Sequence, residues 1–139
     1  MTEPDAELLR ARGLRVTQGR IAVLGVLDRL PHADAESVHR ALAEVGGETS
    51  VQSVHNVLGD LAAAGLVRRF EPARSAARYE RRIGDNHHHA VCSSCGRVDD
   101  VDCVVGEAPC MHADAPAGFT VQAAEVTFVG LCADCAPAT

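Results

Sequence analysis

The chain has 139 residues, 47% of them hydrophobic, with three Phe, one Tyr and no Trp; this excludes a largely disordered protein and fits one ordinary domain or two small ones, with a core of Val, Leu and Ala. No apolar run approaches the roughly 18 residues of a membrane span, and Met1–Arg12 lacks a signal-peptide core, so the expected location is cytoplasmic, where six cysteines point to metal binding or redox chemistry rather than structural disulfides. The net charge of −6 is unevenly spread: residues 1–82 hold 12 Arg against 11 acids, residues 83–139 one Arg against 8 acids, and there is no Lys, so the first part suits phosphates and the second cations.

Glu3–Arg12 reads as a short helix stopped by Gly13. Thr17 is a fit N-cap for a second helix with Ile21, Leu24 and Leu27 on one face, ended by Pro31. Asp34 caps a third, whose inner face is Ala35, Val38, Ala41 and Leu42 and which Gly46–Gly47 stops. Thr49 or Ser50 caps a fourth, with Val51, Val54, Val57, Leu58 and Leu61 as its apolar stripe and Gly65 past its end. The other face of this helix shows Gln52, Ser53, His55, Asn56 and Asp60. Leu66–Phe70 and Ala77–Arg81 read as two short strands around Glu71–Ala76. Helices, a helix with a polar face and then an Arg-rich hairpin make a winged helix-turn-helix.

Composition shifts near Ile83–Asn86, a hinge or turn. Short β-like runs follow at His87–Val91, Arg97–Cys103 and Val121–Leu131, with a short helix around Glu107–His112. The expected fold class is α+β: a DNA-binding domain over 1–82, a hinge at 83–86 and a small α/β, metal-binding domain over 87–139.

Two CxxC knuckles, Cys92-Ser-Ser-Cys95-Gly96 and Cys132-Ala-Asp-Cys135, have 36 residues between them. A zinc ion takes four thiolates tetrahedrally, and each CxxC turn offers two sulfurs on one side of it. Four thiolates leave no position for water, so the expected role is structural, stapling the last strand of the domain to its first. The competing reading is a thiol oxidoreductase, but a thioredoxin-like CxxC belongs near a βαβ pattern, which is absent. A zinc hydrolase would need an open coordination position and a placed general base, and no base is evident.

His87, His88 and His89 precede the first knuckle. On a strand, His87 and His89 share one face and His88 takes the other. Three successive imidazoles are not expected in a core, so the pattern reads as a ligand pair or a solvated turn. The pair would be completed from Glu80, Asp85, Asp99, Asp100, Asp102 or His32; a nitrogen and oxygen shell suits Fe(II), Mn(II) or Zn(II), and spacing does not choose among these residues. Cys103 and Cys110 lie outside the quartet, as buried thiols or a reversible redox pair.

Together, Arg15-Val-Thr-Gln-Gly-Arg20, Pro31-His32, Leu61-Ala-Ala-Ala-Gly65-Leu66-Val67, His87-His-His-Ala-Val-Cys92-Ser-Ser-Cys95-Gly96 and Cys132-Ala-Asp-Cys135 resemble the ferric uptake regulator family over nearly the whole chain. Asp85-Asn86-His87-His88-His89 and Val101-Asp102-Cys103-Val-Val-Gly106-Glu107-Ala-Pro109-Cys110 look like its actinobacterial branch linked to catalase-peroxidase genes. The resemblance implies a winged-helix domain, a C-terminal dimerisation domain, a structural four-cysteine zinc site, and a homodimer that represses from a palindromic double-stranded operator. It implies a regulatory site of His32, Glu80, His87, His89 and Asp100, holding Fe(II), with Mn(II)- and Zn(II)-responsive members sharing these ligands. A third family site matches His88 and Glu107, but the family's later histidine falls at Ala124, so another group such as Glu125 or His112 would complete it. Family members that sense peroxide carry Asp where Asp100 stands, whereas Glu80 matches the iron-uptake type. The implied DNA-binding set is Arg15 and Arg20 toward the backbone or minor groove, with Gln52, Ser53, His55 and Asn56 facing bases. Many members carry Tyr-Arg where this chain has His55-Asn56, and Asn can read adenine where Arg would contact guanine or phosphate.

Overall fold

The computed structural model describes residues 3–72, 75–81, 87–102, 115–121 and 125–137. The chain divides into two compact units, Met1–Ile83 and Gly84–Thr139. The first contains α1 (Glu3–Ala11), α2 (Gln18–Arg29), β1 (Ala33–Asp34), α3 (Ala35–Glu44), α4 (Val51–Ala63), β2 (Arg68–Phe70) and β3 (Arg78–Glu80); the second contains β4 (His87–Cys92), β5 (Val98–Asp102) and β6 (Thr127–Gly130).

The helix starts follow from local side-chain chemistry. Thr17 accepts a hydrogen bond from the Arg20 amide at 3.1 Å, Asp34 from the Ser37 amide at 2.8 Å and Ser50 from the Ser53 amide at 3.0 Å. Each satisfies one of the amides that a first helical turn leaves without an intrahelical partner. Gly65 ends α4 with φ +76°, a left-handed conformation that an L side chain resists. Next to it the Leu66 amide returns to the Leu61 carbonyl at 3.0 Å.

These helices close around one apolar core. Leu9 of α1, Val23, Leu24, Val26 and Leu27 of α2, Val38 and Leu42 of α3, and Val54, Leu58 and Leu61 of α4 are buried together with Leu66, Val67 and Tyr79. Apolar stripes at helical spacing produce this arrangement. The core is of the Val, Leu and Ala kind that the composition demands.

The sheet of the first unit has the order β1-β3-β2, antiparallel throughout. The sequence reading has only the β2–β3 hairpin, and with longer strands; Leu66 and Val67 are buried in the core ahead of β2 rather than paired in it. β1 is an addition, two residues that pair Ala33 with Tyr79 and Asp34 with Arg78. A strand this short carries no alternation to read.

In the second unit the order is β5-β4-β6, with β4–β5 antiparallel and β4–β6 parallel. β6 begins at Thr127 rather than at Val121 as the sequence reading has it. The expected helix at Glu107–His112 lies outside the described residues.

Candidate metal centres and nucleic-acid interface

The two cysteine knuckles sit at one end of neighbouring strands. Cys92 ends β4 opposite Gly130 of β6, and the Ser93 amide donates to the Gly130 carbonyl at 2.8 Å. Each knuckle closes on itself: the Gly96 amide bonds the Cys92 carbonyl at 2.9 Å and the Cys135 amide the Cys132 carbonyl at 3.0 Å. Gly96 makes the first turn possible with φ +80°.

The four sulfurs of Cys92, Cys95, Cys132 and Cys135 lie within 4.8 Å of one another, and the Cys95 and Cys132 sulfurs are 3.7 Å apart. Zn–S bonds of about 2.3 Å in a tetrahedron require sulfurs about 3.8 Å apart, so the residues fit a closed four-thiolate zinc site. Backbone amides of Cys95 and Cys132 directed at the sulfur lower the Cys92 thiol to about 6. Cys135 is pushed up to about 12, chiefly by the thiol of Cys132, because sulfurs gathered this closely do not all ionise without a cation.

β4 also carries the three histidines. His87, His88 and His89 are 2%, 6% and 2% exposed on a strand and stand outside the hydrophobic core cluster, which removes the solvated-turn alternative. His87 and His89 share a face as expected, their rings edge-on with centroids 5.1 Å apart. Both Nε2 atoms lie 3.7 Å from the same Asp100 oxygen, and Asp100 stands opposite His89 on β5. That separation exceeds hydrogen-bond reach, and the donor atoms of His89 and Asp100 belong to a group whose members lie within 4.8 Å of one another, close enough to share one cation.

The other acids sort by register. Asp99 stands opposite Ala90, on the face away from His89, and its carboxylate is held by Arg97 at 2.9 Å. Asp102 stands opposite His87. Asp85 lies outside the described residues. His88 takes the far face, and neither of its ring nitrogens has a hydrogen-bond partner among the described residues. Glu125 is exposed, and no cluster of metal donors among the described residues includes it or His88. Glu107, His112, Cys103 and Cys110 lie outside the described residues.

In the first unit, His32 and Glu80 form a second group of donors. His32 Nε2 is 3.4 Å from a Glu80 oxygen, and Glu80 is 1% exposed. The β1–β3 pairing makes this contact: it sets residue 33 beside residue 79 and closes a gap of nearly fifty residues. Two arginines frame the pair. Arg78 donates to the His32 carbonyl at 3.2 Å, and Arg68 lies 4.0 Å from the other Glu80 oxygen.

On α4, burial of Val54, Leu58 and Leu61 turns Gln52, Ser53, His55 and Asn56 to the exposed side. Arg15 is exposed. Arg20 is not a free contact: it donates to the Arg15 carbonyl at 2.6 Å and to Asp60 of α4 at 3.1 Å. It ties α2 to α4 and offsets the single acid on the polar face of α4. The sequence reading missed this tie, since a residue forty positions away gives no local signal.

The ferric uptake regulator family model matches residues 11–129. Transcriptional regulator FurA of Mycobacterium tuberculosis is 53% identical over 133 residues, spanning 95% of this chain and 90% of that protein. The ferric uptake regulator from Pseudomonas aeruginosa, solved with manganese, is similar with TM-score 0.70 and 27% identity over 93% of this chain and 98% of that one. PerR from Streptococcus pyogenes, described in terms of peroxide sensing and gene regulation, has TM-score 0.52 and 27% identity over 96% of this chain and 92% of that one. These relatives are regulators and not enzymes, which removes the thiol oxidoreductase reading. A winged helical unit, a small β unit with a four-cysteine cluster and a match of this length together place the chain in the ferric uptake regulator family of metal-responsive transcriptional regulators, with an α+β fold.

Proposed function

We propose that this chain is an iron-dependent, peroxide-responsive repressor that acts in the cytoplasm as a homodimer on a palindromic operator, controlling a catalase-peroxidase gene and its own. The first unit is the DNA-binding domain and the second the dimerisation and metal-binding domain, joined through 83–86. Cys92, Cys95, Cys132 and Cys135 hold structural Zn(II). His32, Glu80, His87, His89 and Asp100 hold the regulatory Fe(II). The observation that carries this reading is the pair of buried imidazoles, His87 and His89, each 3.7 Å from one Asp100 oxygen. Two nitrogens and a carboxylate bind a divalent ion more exchangeably than four thiolates, as a sensor requires.

Because the ligand set draws on both units, occupancy of the site and affinity for the operator are coupled, by about 1–3 kcal/mol in typical cases. Self-association is supported by β6. All four of its residues are exposed, its outer edge has no neighbour among the described strands, and Phe128, Val129 and Leu131 are 52%, 69% and 50% exposed. An open edge with apolar side chains is a surface that proteins cover. Fe(II) held by these residues would supply the reductant for peroxide. Asp100 supports that sense, and the likeness to PerR agrees with it.

The test is binding of the full chain to promoter DNA of its own gene, titrated separately with Fe(II), Mn(II) and Zn(II) and then treated with peroxide. Fe(II) should tighten binding at least fivefold, and peroxide should release the iron form with +16 added on His32 or His87. Tightening by Mn(II) or Zn(II) alone would assign the family's manganese or zinc type instead. Affinity indifferent to metal and chelator would overturn the coupling.

A further inference from the structure

We propose that Gln52 and Asn56 act as one reading unit on α4 and select an adenine in each operator half-site. This rests on the DNA-binding reading above and names the base that reading leaves open. Both side chains are exposed, one helical turn apart, on the face opposite the buried Val54, Leu58 and Leu61. Gln52 Nε2 donates to Asn56 Oδ1 at 3.1 Å.

That bond couples the two amides, one as donor and one as acceptor. Gln52 then offers its Oε1 acceptor and one remaining Nε2–H, and Asn56 its Nδ2 donors. The couple therefore presents a donor beside an acceptor. In the major groove adenine offers the complement, an N7 acceptor beside an N6 donor. Guanine offers two acceptors, so its O6 would meet the Gln52 oxygen with lone pair against lone pair. Cytosine satisfies only the acceptor of the couple and thymine only its donor. Adenine alone satisfies both.

The rest of the face supports the assignment. Ser53 is used in the cap, where Ser50 Oγ donates to Ser53 Oγ at 3.0 Å. Asp60 is held by Arg20 at 3.1 Å, which offsets the one carboxylate that would repel phosphate. What projects from the first two turns is hydrogen-bonding chemistry without a carboxylate or guanidinium, suited to base edges rather than to the backbone.

The experiment is selection of duplexes from a random-sequence pool by the full chain loaded with Zn(II) and, under anaerobic conditions, with Fe(II), followed by sequencing. It is run for wild type, Gln52→Ala, Asn56→Ala and Asn56→Asp, with thermal melts to check that these exposed substitutions leave the fold intact. Wild type should enrich a half-site with one strongly selected adenine. Gln52→Ala and Asn56→Ala should each erase the preference at that same position, by roughly tenfold or more in discrimination, and leave the other positions selected. Asn56→Asp, acceptor only, should move the preference toward cytosine, which offers the N4 donor. Unchanged preference in the variants, or uniform weakening over all sequences, overturns the couple as a reader. A wild type that enriches no sequence overturns the DNA-binding reading itself, and the assignment falls with it.

Discussion

Asp34 shows how much one side chain settles. It ends β1, caps α3 through the Ser37 amide at 2.8 Å and lies between Arg78 and Arg40. Burial raises its pKa, but the Ser37 amide and hydroxyl and the two arginines outweigh burial and leave it below the ordinary 3.8. A carboxylate depressed in the folded state stabilises the fold above its unfolded pKa, and that contribution is lost as the pH falls through the folded value. Asp34→Ala should therefore cost about 1 kcal/mol at neutral pH, measured by urea denaturation, and the difference should shrink as both proteins are acidified through and below the lowered carboxylate pKa of Asp34. Asp34→Asn, which still caps, should lose less at neutral pH and show less of this pH dependence. Caps of this kind were open to sequence reading because cap chemistry is local: Thr17, Asp34 and the Ser50 alternative all stand where the side chain alone predicts. The burial of His87, His88 and His89 was not, since what covers a strand is decided by residues far away in the chain.

At the scale of elements, the first unit is fastened by a residue with no motif around it. Arg81 follows β3 directly and forks between two helices, donating to Asp5 of α1 at 2.8 Å and to Asp28 of α2 at 3.0 Å. The Asp5 side chain is 10% exposed and that of Asp28 61%. Water screens the outer arm, so the inner arm is the stronger. Arg81→Ala should destabilise the unit by about 1–3 kcal/mol. A double-mutant cycle should find more coupling between Arg81 and Asp5 than between Arg81 and Asp28; equal couplings would mean that burial of Asp5 adds nothing. Since Arg81 adjoins Glu80, this clamp also fixes the end of the strand that carries a proposed ligand. Helices with long apolar stripes were readable from sequence, and so was the α4 face. β1 was not, although its pairing sets His32 beside Glu80, because pairing of two residues leaves no pattern in composition or periodicity. That is why the choice among the acids needed the family resemblance and could not come from spacing.

Across the whole molecule, the two units are stabilised by different means. Every buried apolar residue among the described ones lies in the first unit, apart from Cys92. The second unit instead exposes Phe119, Phe128, Val129 and Leu131 and holds β6 to β4 through a short parallel pairing closed at one end by the cysteine quartet. A sheet of this size with no buried apolar core among its described residues depends on staples and on partners. A zinc ion held by the quartet would contribute to folding as well as to coordination, and a second copy covering β6 would add stability that rises with protein concentration. Removing the metal with a strong chelator, or by Cys132→Ser, should accelerate amide exchange in residues 87–102 and 125–137, measured by mass spectrometry. It should also shift the sedimentation of the chain toward monomer. The core helices α2–α4 should keep their protection, because Leu24, Leu27, Leu58 and Leu61 are buried within the first unit and owe nothing to the thiolates. Collapse of protection in both units together would show that they fold as one body. Full protection of β4 and β6 in the stripped protein would remove zinc from the account of stability and leave the quartet with some other role.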